Sequence, residues 1–164
     1  MIVLDASTTI LLAKAELLDA FIRDVRQTVI MPKEVREECC GRDSLDARLI
    51  GHAVEEKRIA VKAVERRSAL QQLIKDFGLG RGEAAAIALA TTAKNALVAT
   101  DDKRAINACK VLKIPFTSAM SVLTRMCDKG LVSRQEAFEK LEILARYGRY
   151  KQEIIAAARA ELEE

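Results

Sequence analysis

With 164 residues, half of them hydrophobic and 31% charged, the chain has the balance of a globular protein with a full core, and one domain spanning 1–164 is expected. No apolar run approaches the ~20 residues of a membrane span, and Met1-Ile-Val-Leu-Asp5 has no basic segment ahead of its apolar residues, so neither a span nor a signal peptide is expected and a cytoplasmic location follows by elimination. A net charge of +3 is too small to announce a polyanionic partner by itself.

Taken in order, Ile2-Val-Leu4 is an unbroken apolar run and reads as a buried strand. Ser7 and Thr8 are candidate caps for a helix over 9–24. Residues 28–31 read as a second short strand, and Pro32 is placed to open a helix that runs to about residue 40, where Gly41 ends it. Helices follow over 43–56 and 64–77, with a brief extended piece at 58–62 between them. Gly78, Gly80 and Gly82 break the chain before a regular helix over 83–94, whose Ala84, Ala85, Ala86, Ala88 and Ala90 remove bulk and permit close packing on a sheet. Leu97-Val-Ala99 is the strand of clearest buried character. A helix over 103–110 and a short strand at 114–116 come next. From Ser118 the text is helical, broken near Gly130 and Gly148, and Ser133 caps the middle segment with Glu136 as its capping-box partner. This alternation predicts an α/β core over 1–117 with a parallel sheet, and a helical extension over 118–164 packed on it.

Acidic residues stand at the ends of these elements: Asp5, Glu38, Glu83 and the pair Asp101-Asp102. Each alone has a simple reading. Glu83 in a first helical turn favours the helix dipole by ~0.3–1 kcal/mol, and Glu38 fits a solvated helix face. In a parallel α/β sheet, however, ligands sit beyond the carboxyl ends of the strands, which sends Asp5 and Asp101-Asp102 to one rim. Carboxylates gathered there repel one another, and a hard divalent cation, Mg²⁺ or Mn²⁺, makes such a group tolerable.

Other chemistries fare worse. Cys39, Cys40, Cys109 and Cys127 form no C-x-x-C pair and His52 is the only histidine, which argues against zinc; Cys109 and Cys127 are expected as small apolar core residues on helices, and Cys39-Cys40 as closing a helix near a loop. His52 lies far from any nucleophile motif, and no P-loop text exists. Basic residues gather at 57–67 (Lys57, Arg58, Lys62, Arg66, Arg67) and at 103–113 (Lys103, Arg104, Lys110, Lys113), where they can hold phosphates beside an acidic metal site. Val122, Leu123 and Met126, with Leu141, Leu144 and Ala145, suit either core packing or a partner helix. Tyr147 and Tyr150 flank Gly148-Arg149 and suit either base stacking or an ordinary interhelical loop.

Four stretches stand in the order that PIN-domain nucleases carry them: Leu4-Asp5-Ala-Ser7, Pro32-Lys-Glu-Val35-Arg-Glu-Glu38, Gly80-Arg-Gly-Glu83-Ala-Ala-Ala-Ile-Ala-Leu-Ala90 and Ala99-Thr-Asp-Asp102. The chain resembles that family, and most of all its VapC-like branch, whose members are often toxins of toxin–antitoxin pairs. The resemblance implies a three-layer α/β/α fold around a small parallel sheet. It also implies a metal-dependent endoribonuclease in which Asp5, Glu38, Glu83 and Asp102 hold one or two Mg²⁺ or Mn²⁺ ions that acidify an attacking water. The Thr-x-Asp form of the last motif selects Asp102 and leaves Asp101 as an alternate or supporting ligand. Ser7 would support Asp5 or a metal-bound water by a hydrogen bond, and Arg81, Lys103 and Arg104 are the expected phosphate contacts. Expected partners are RNA, an antitoxin protein and a second copy of the chain, without a membrane. The alternative is a non-catalytic PIN-like module that binds RNA or acts as a scaffold.

Overall fold

Side-chain alternation along one short strand divides the interior in two. The computed structural model describes residues 1–164, and the first strand, β1 (Ile2–Leu4), sits at the middle of a five-stranded sheet. Ile2 and Leu4 enter one apolar cluster and Val3 the other, as a period of two requires. The remaining elements run α1 (Ala6–Lys14), α2 (Leu18–Asp24), β2 (Val29–Pro32), α3 (Lys33–Cys40), α4 (Leu45–Glu55), β3 (Ala60–Lys62), α5 (Arg67–Phe77), α6 (Arg81–Ala90), β4 (Leu97–Ala99), α7 (Lys103–Leu112), β5 (Phe116–Thr117), α8 (Ala119–Asp128), α9 (Arg134–Tyr147) and α10 (Gln152–Glu163). Every strand pairing is parallel and the order is β3-β2-β1-β4-β5. Helices cover both faces, giving the expected three-layer α/β/α architecture around a small parallel sheet.

On one face Leu4, Met31 and Ala99 meet Leu12 of α1, Val35 of α3 and Ile50 of α4, together with Leu123, Leu141 and Leu144 of the helical extension. On the other face Val3, Ile30 and Val98 meet α5, α6 and α7. Helix α6 is apolar nearly all round because neighbours surround it; Ala84, Ala85, Ala86 and Ile87 have no exposed surface. The stripes Val122-Leu123-Met126 and Leu141-Leu144 are interior to the chain. Cys109 is buried as expected, but Cys127 is only partly buried, and Cys39 at the end of α3 is itself a core residue. No helix is long and apolar enough to cross a membrane.

Three local readings need correction. The helix expected over 9–24 is two helices. Leu11, Leu12, Ala15, Leu17 and Leu18 are all buried, and one straight helix cannot turn all of them inward. The chain turns instead at Glu16, whose φ is +55°, and the Leu17 N–H bonds the Leu12 carbonyl at 2.8 Å while Glu16 N–H bonds Ala13 at 3.1 Å, a Schellman closure. Ser7 and Thr8 do not cap α1. Asp5 does so, because its carboxylate stands at the strand end and accepts from Ala6 N–H at 2.8 Å. Finally, α6 starts at Arg81 and stops at Ala90. Thr91 and Thr92 turn their hydroxyls back onto the Ala88 and Leu89 carbonyls, at 2.7 Å and 2.6 Å, and end the helix.

Candidate functional site

Strand order reverses direction between β1 and β4, so connections leave the sheet toward opposite sides at that point and open a crevice beyond the strand ends. Leu4 pairs with Ala99, which sets the next residues, Asp5 and Thr100, side by side. Asp5 is 1% exposed. Its Oδ1 accepts from Ala6 N–H at 2.8 Å; its Oδ2 accepts from Ser7 Oγ at 2.8 Å and Thr100 Oγ1 at 2.7 Å. Burial pushes the Asp5 carboxyl up from 3.8 to about 6, the hydrogen bonds from Thr100, Ser7 and Ala6 pull it down, and Glu38 pushes it further up.

Glu38 reaches this place from α3 and Glu83 from the first turn of α6. The two helices approach closely because residue 82 is glycine. A Cβ there would lie 2.9 Å from Glu38 Oε2 and 3.3 Å from Val35 Cγ2. Glu38 is open to solvent as a residue, but its carboxyl end tucks against α6. Burial raises its carboxyl above the usual range, Glu83 raises it further, and Arg42 opposes both. Glu83 is raised by burial, lowered by the Gly80 N–H, and raised again by Asp102 and Asp5, with Arg104 opposing. The four acids therefore act on one another as like charges. None of them belongs to an ion pair; the chain's carboxylate–cation pairs all lie elsewhere.

Adjacent in sequence, Asp101 and Asp102 do different things. Asp102 caps α7, its Oδ1 accepting from Arg104 N–H at 2.8 Å and Ala105 N–H at 2.9 Å. Asp101 is a structural junction. Its Oδ2 accepts from the Thr8 hydroxyl and from Ala119 N–H at 2.9 Å, its Oδ1 accepts from the Tyr150 hydroxyl, and its own N–H bonds Ser7 Oγ at 2.9 Å. Gly80, Glu83, Asp101, Asp102, Lys103, Arg104 and Arg149 line an open cleft of about 520 Å³. Of the expected phosphate contacts, Lys103 and Arg104 are thus brought to the acids, although the Arg104 guanidinium donates to Gly78 O at 2.9 Å. Arg81 is exposed outside the lining of that cleft.

Sequence reasoning missed Thr100 as a partner of Asp5, although the signal was present: two neighbouring parallel strands ending in register place their following residues together. It noted the aromatic and basic segment around Arg149 but not that this residue comes from the α9–α10 junction to the acids.

As the side chains stand, no three His, Cys, Asp or Glu groups close around one point. Glu83 Oε2 is turned to Gly80 N–H at 2.6 Å, and Asp102 to the start of α7. The donor chemistry nevertheless fits a hard divalent ion: carboxylate oxygens only, unpaired with cations, with Asp5, Glu38 and Glu83 raised first by burial and then by neighbouring acids. The nearby Cys39 thiol offers no soft ligand, since burial drives it far above the thiol range.

A family model described as a PIN domain matches residues 1–164. No curated protein and no solved structure gives a significant match to the chain.

Proposed function

We propose that this chain, which belongs to the PIN-domain family, is an endoribonuclease that uses Mg²⁺ or Mn²⁺ on Asp5, Glu38, Glu83 and Asp102, and that it is a VapC-like toxin. The observation that carries the reading is Asp5. It is 1% exposed, it has no cationic partner, and it lies at the crevice of the sheet beside further carboxylates whose charge it feels. A protein with no use for a cation there would gain stability by placing a neutral side chain at that point. PIN domains are typically metal-dependent nucleases, and the position and chemistry of these acids agree with that general behaviour.

Asp5, Glu38, Glu83 and Asp102 would hold the ion. When bound it would acidify water and screen the charge that develops on phosphorus. The chain's residues set the stage for this. Ala6 N–H, Ser7 and Thr100 fix the Asp5 carboxylate from both oxygens, leaving it no rotational freedom. Lys103 offers an ammonium to the phosphates of the strand in the cleft. Asp101 ties Thr8 of α1, Ala119 of α8 and Tyr150 together and is read as holding the framework, with its neighbour Asp102 taken as the ligand. In the same reading the chain is cytoplasmic, works as a homodimer, and is restrained by a cognate antitoxin protein.

The test is cleavage of a fluorescent single-stranded RNA in Mn²⁺, in EDTA, and by Asp5→Asn purified in parallel. Cleavage that needs metal and is lost in the variant supports the proposal. Equal cleavage by both proteins means a contaminant. RNA binding without turnover, across a panel of structured and unstructured RNAs, replaces the enzyme with a binding module.

Gly82→Ala gives a subtler check. The new methyl group displaces the Glu38 carboxylate, the movable end of a side chain, so the fold survives while the acid leaves its place. Cleavage is expected to fall about tenfold or more. The thermal midpoint should move by only a few degrees, because alanine's helix preference of about 1 kcal/mol offsets the tight contact with Val35. An active variant of unchanged rate would remove Glu38 from the site.

A further inference from the structure

We infer that Arg149 is a further substrate-positioning residue, taking a phosphate of the RNA strand at the mouth of the acidic cleft, and that Gly148, Tyr150 and Asp101 form the latch that puts it there. The inference rests on the nuclease reading and adds to it a contact from the helical extension.

The tripeptide Gly148-Arg149-Tyr150 is built around one tyrosine. The Tyr150 hydroxyl donates to Asp101 Oδ1, next to the acid that caps α7. Burial, and then the Asp101 charge, hold that hydroxyl protonated far above the ordinary tyrosine range, as a permanent donor requires. The ring lies on the backbone of residue 148. A Cβ at 148 would be 2.6 Å from Tyr150 Cδ2 and 2.7 Å from Leu144 O. Gly148 has an ordinary φ of −83°, so glycine is needed for space and not for backbone freedom. Tyr147, on the other side, carries the Lys14 ammonium 4.7 Å from its ring centre. Tyr150 is thereby engaged with protein, whereas Tyr147 stays 54% exposed with Lys14 over its ring.

Arg149 is the residue left free between them. It is exposed and lines the cleft with Glu83, Asp102 and Lys103. Its guanidinium enters no ion pair and no hydrogen bond within the chain, whereas the neighbouring Arg104 is spent on Gly78 O. A cluster of carboxylates repels an approaching phosphate strand, and a cation placed at its edge counters that repulsion. A planar guanidinium can grip two oxygens of one phosphate, which an ammonium cannot. The ligand class is a single-stranded RNA backbone, read without base preference.

The full-length protein and its Arg149→Ala, Arg149→Lys and Tyr150→Phe variants would be compared in two assays: Mn²⁺-dependent cleavage of a fluorescent single-stranded RNA, and binding of the same RNA by each protein carrying Asp5→Asn. Arg149→Ala is expected to weaken binding and raise KM about tenfold with a smaller change in kcat, and to lower the slope of log affinity against log salt by about 0.7. Arg149→Lys should restore the salt slope but only part of the affinity. Tyr150→Phe should shift KM in the same direction with the salt slope kept, since the cation remains but is less well held. Cleavage and binding by Arg149→Ala indistinguishable from the parent overturn the inference and leave the nuclease standing. RNA binding that depends on Arg149 in a protein that never cleaves sustains the contact and overturns the nuclease. A parent that neither binds nor cleaves RNA overturns both.

Discussion

Asp5→Asn is expected to cut RNA cleavage by about 10³-fold or more and, in the same protein, to raise the stability of the metal-free fold. The loss follows from removing the best-oriented carboxylate of the site. The gain follows from its burial. Holding a carboxyl whose value is raised from 3.8 to about 6 in ionised form costs the folded state about 3 kcal/mol at neutral pH. Asparagine keeps the bond from Ala6 N–H, and the hydroxyls of Ser7 and Thr100 can turn to accept from its amide. The sign fixes the pH dependence. Since the folded value is raised, the folded protein holds this proton more tightly than the unfolded chain. Wild type and variant are therefore equally stable below about pH 4, separate as pH climbs through about 6, and stay separated above it. Thermal unfolding in EDTA across that range is the measurement. Adding Mn²⁺ should raise the wild-type midpoint and barely move the variant. A variant less stable than wild type at pH 7 without metal would mean that Asp5 is held by its hydrogen bonds at no cost, and its burial would no longer argue for a cation.

The second large effect separates two neighbours. Asp101→Ala leaves three donors without an acceptor, the Thr8 and Tyr150 hydroxyls and Ala119 N–H. It is expected to cost about 2–4 kcal/mol and to lower the thermal midpoint by roughly 5–15 °C. Asp102→Ala loses a helix cap worth about 1 kcal/mol and is expected to lower cleavage about 100-fold or more through the ion. Measured together, stability and activity should cross: one variant weak but active at low temperature, the other firm but slow. If Asp101→Ala proved stable and inactive, the ligand would be Asp101 and the junction described here would be incidental.

Much of the fold was legible because its signals are local. Ile2 to Leu4 and Leu97 to Ala99 are apolar without interruption, as strands covered on both faces must be, and the Ser133–Glu136 capping box forms as written, with Glu136 N–H bonding Ser133 Oγ at 3.2 Å. Boundaries failed where tertiary demand overrode local preference, as at Glu16, where five buried side chains could not share one helical face. The placing of Asp5 next to Thr100 followed from strand order, which no single segment records. Asp101 and Asp102 were not separable from sequence because their difference lies in partners as distant as Thr8 and Tyr150. Arg149 was least legible in place, since its aromatic and basic loop suited base stacking or plain connection equally and says nothing of the cleft it faces once folded.

The Asp101 junction also has a consequence in time. Every acid assigned to the ion lies within the first 102 residues, as does every strand except β5. The hydroxyl that completes the junction, and the arginine that it aims, come at 150 and 149. A nascent chain thus carries all the proposed ion ligands well before the residues at the rim of the cleft are made. Domains fold as units, and one face of the sheet is covered by Leu123, Leu141 and Leu144 of the helical extension, so the acids are not fixed at one rim until that extension is in place. The order of residues along the chain then ties completion of the proposed site to synthesis beyond Tyr150.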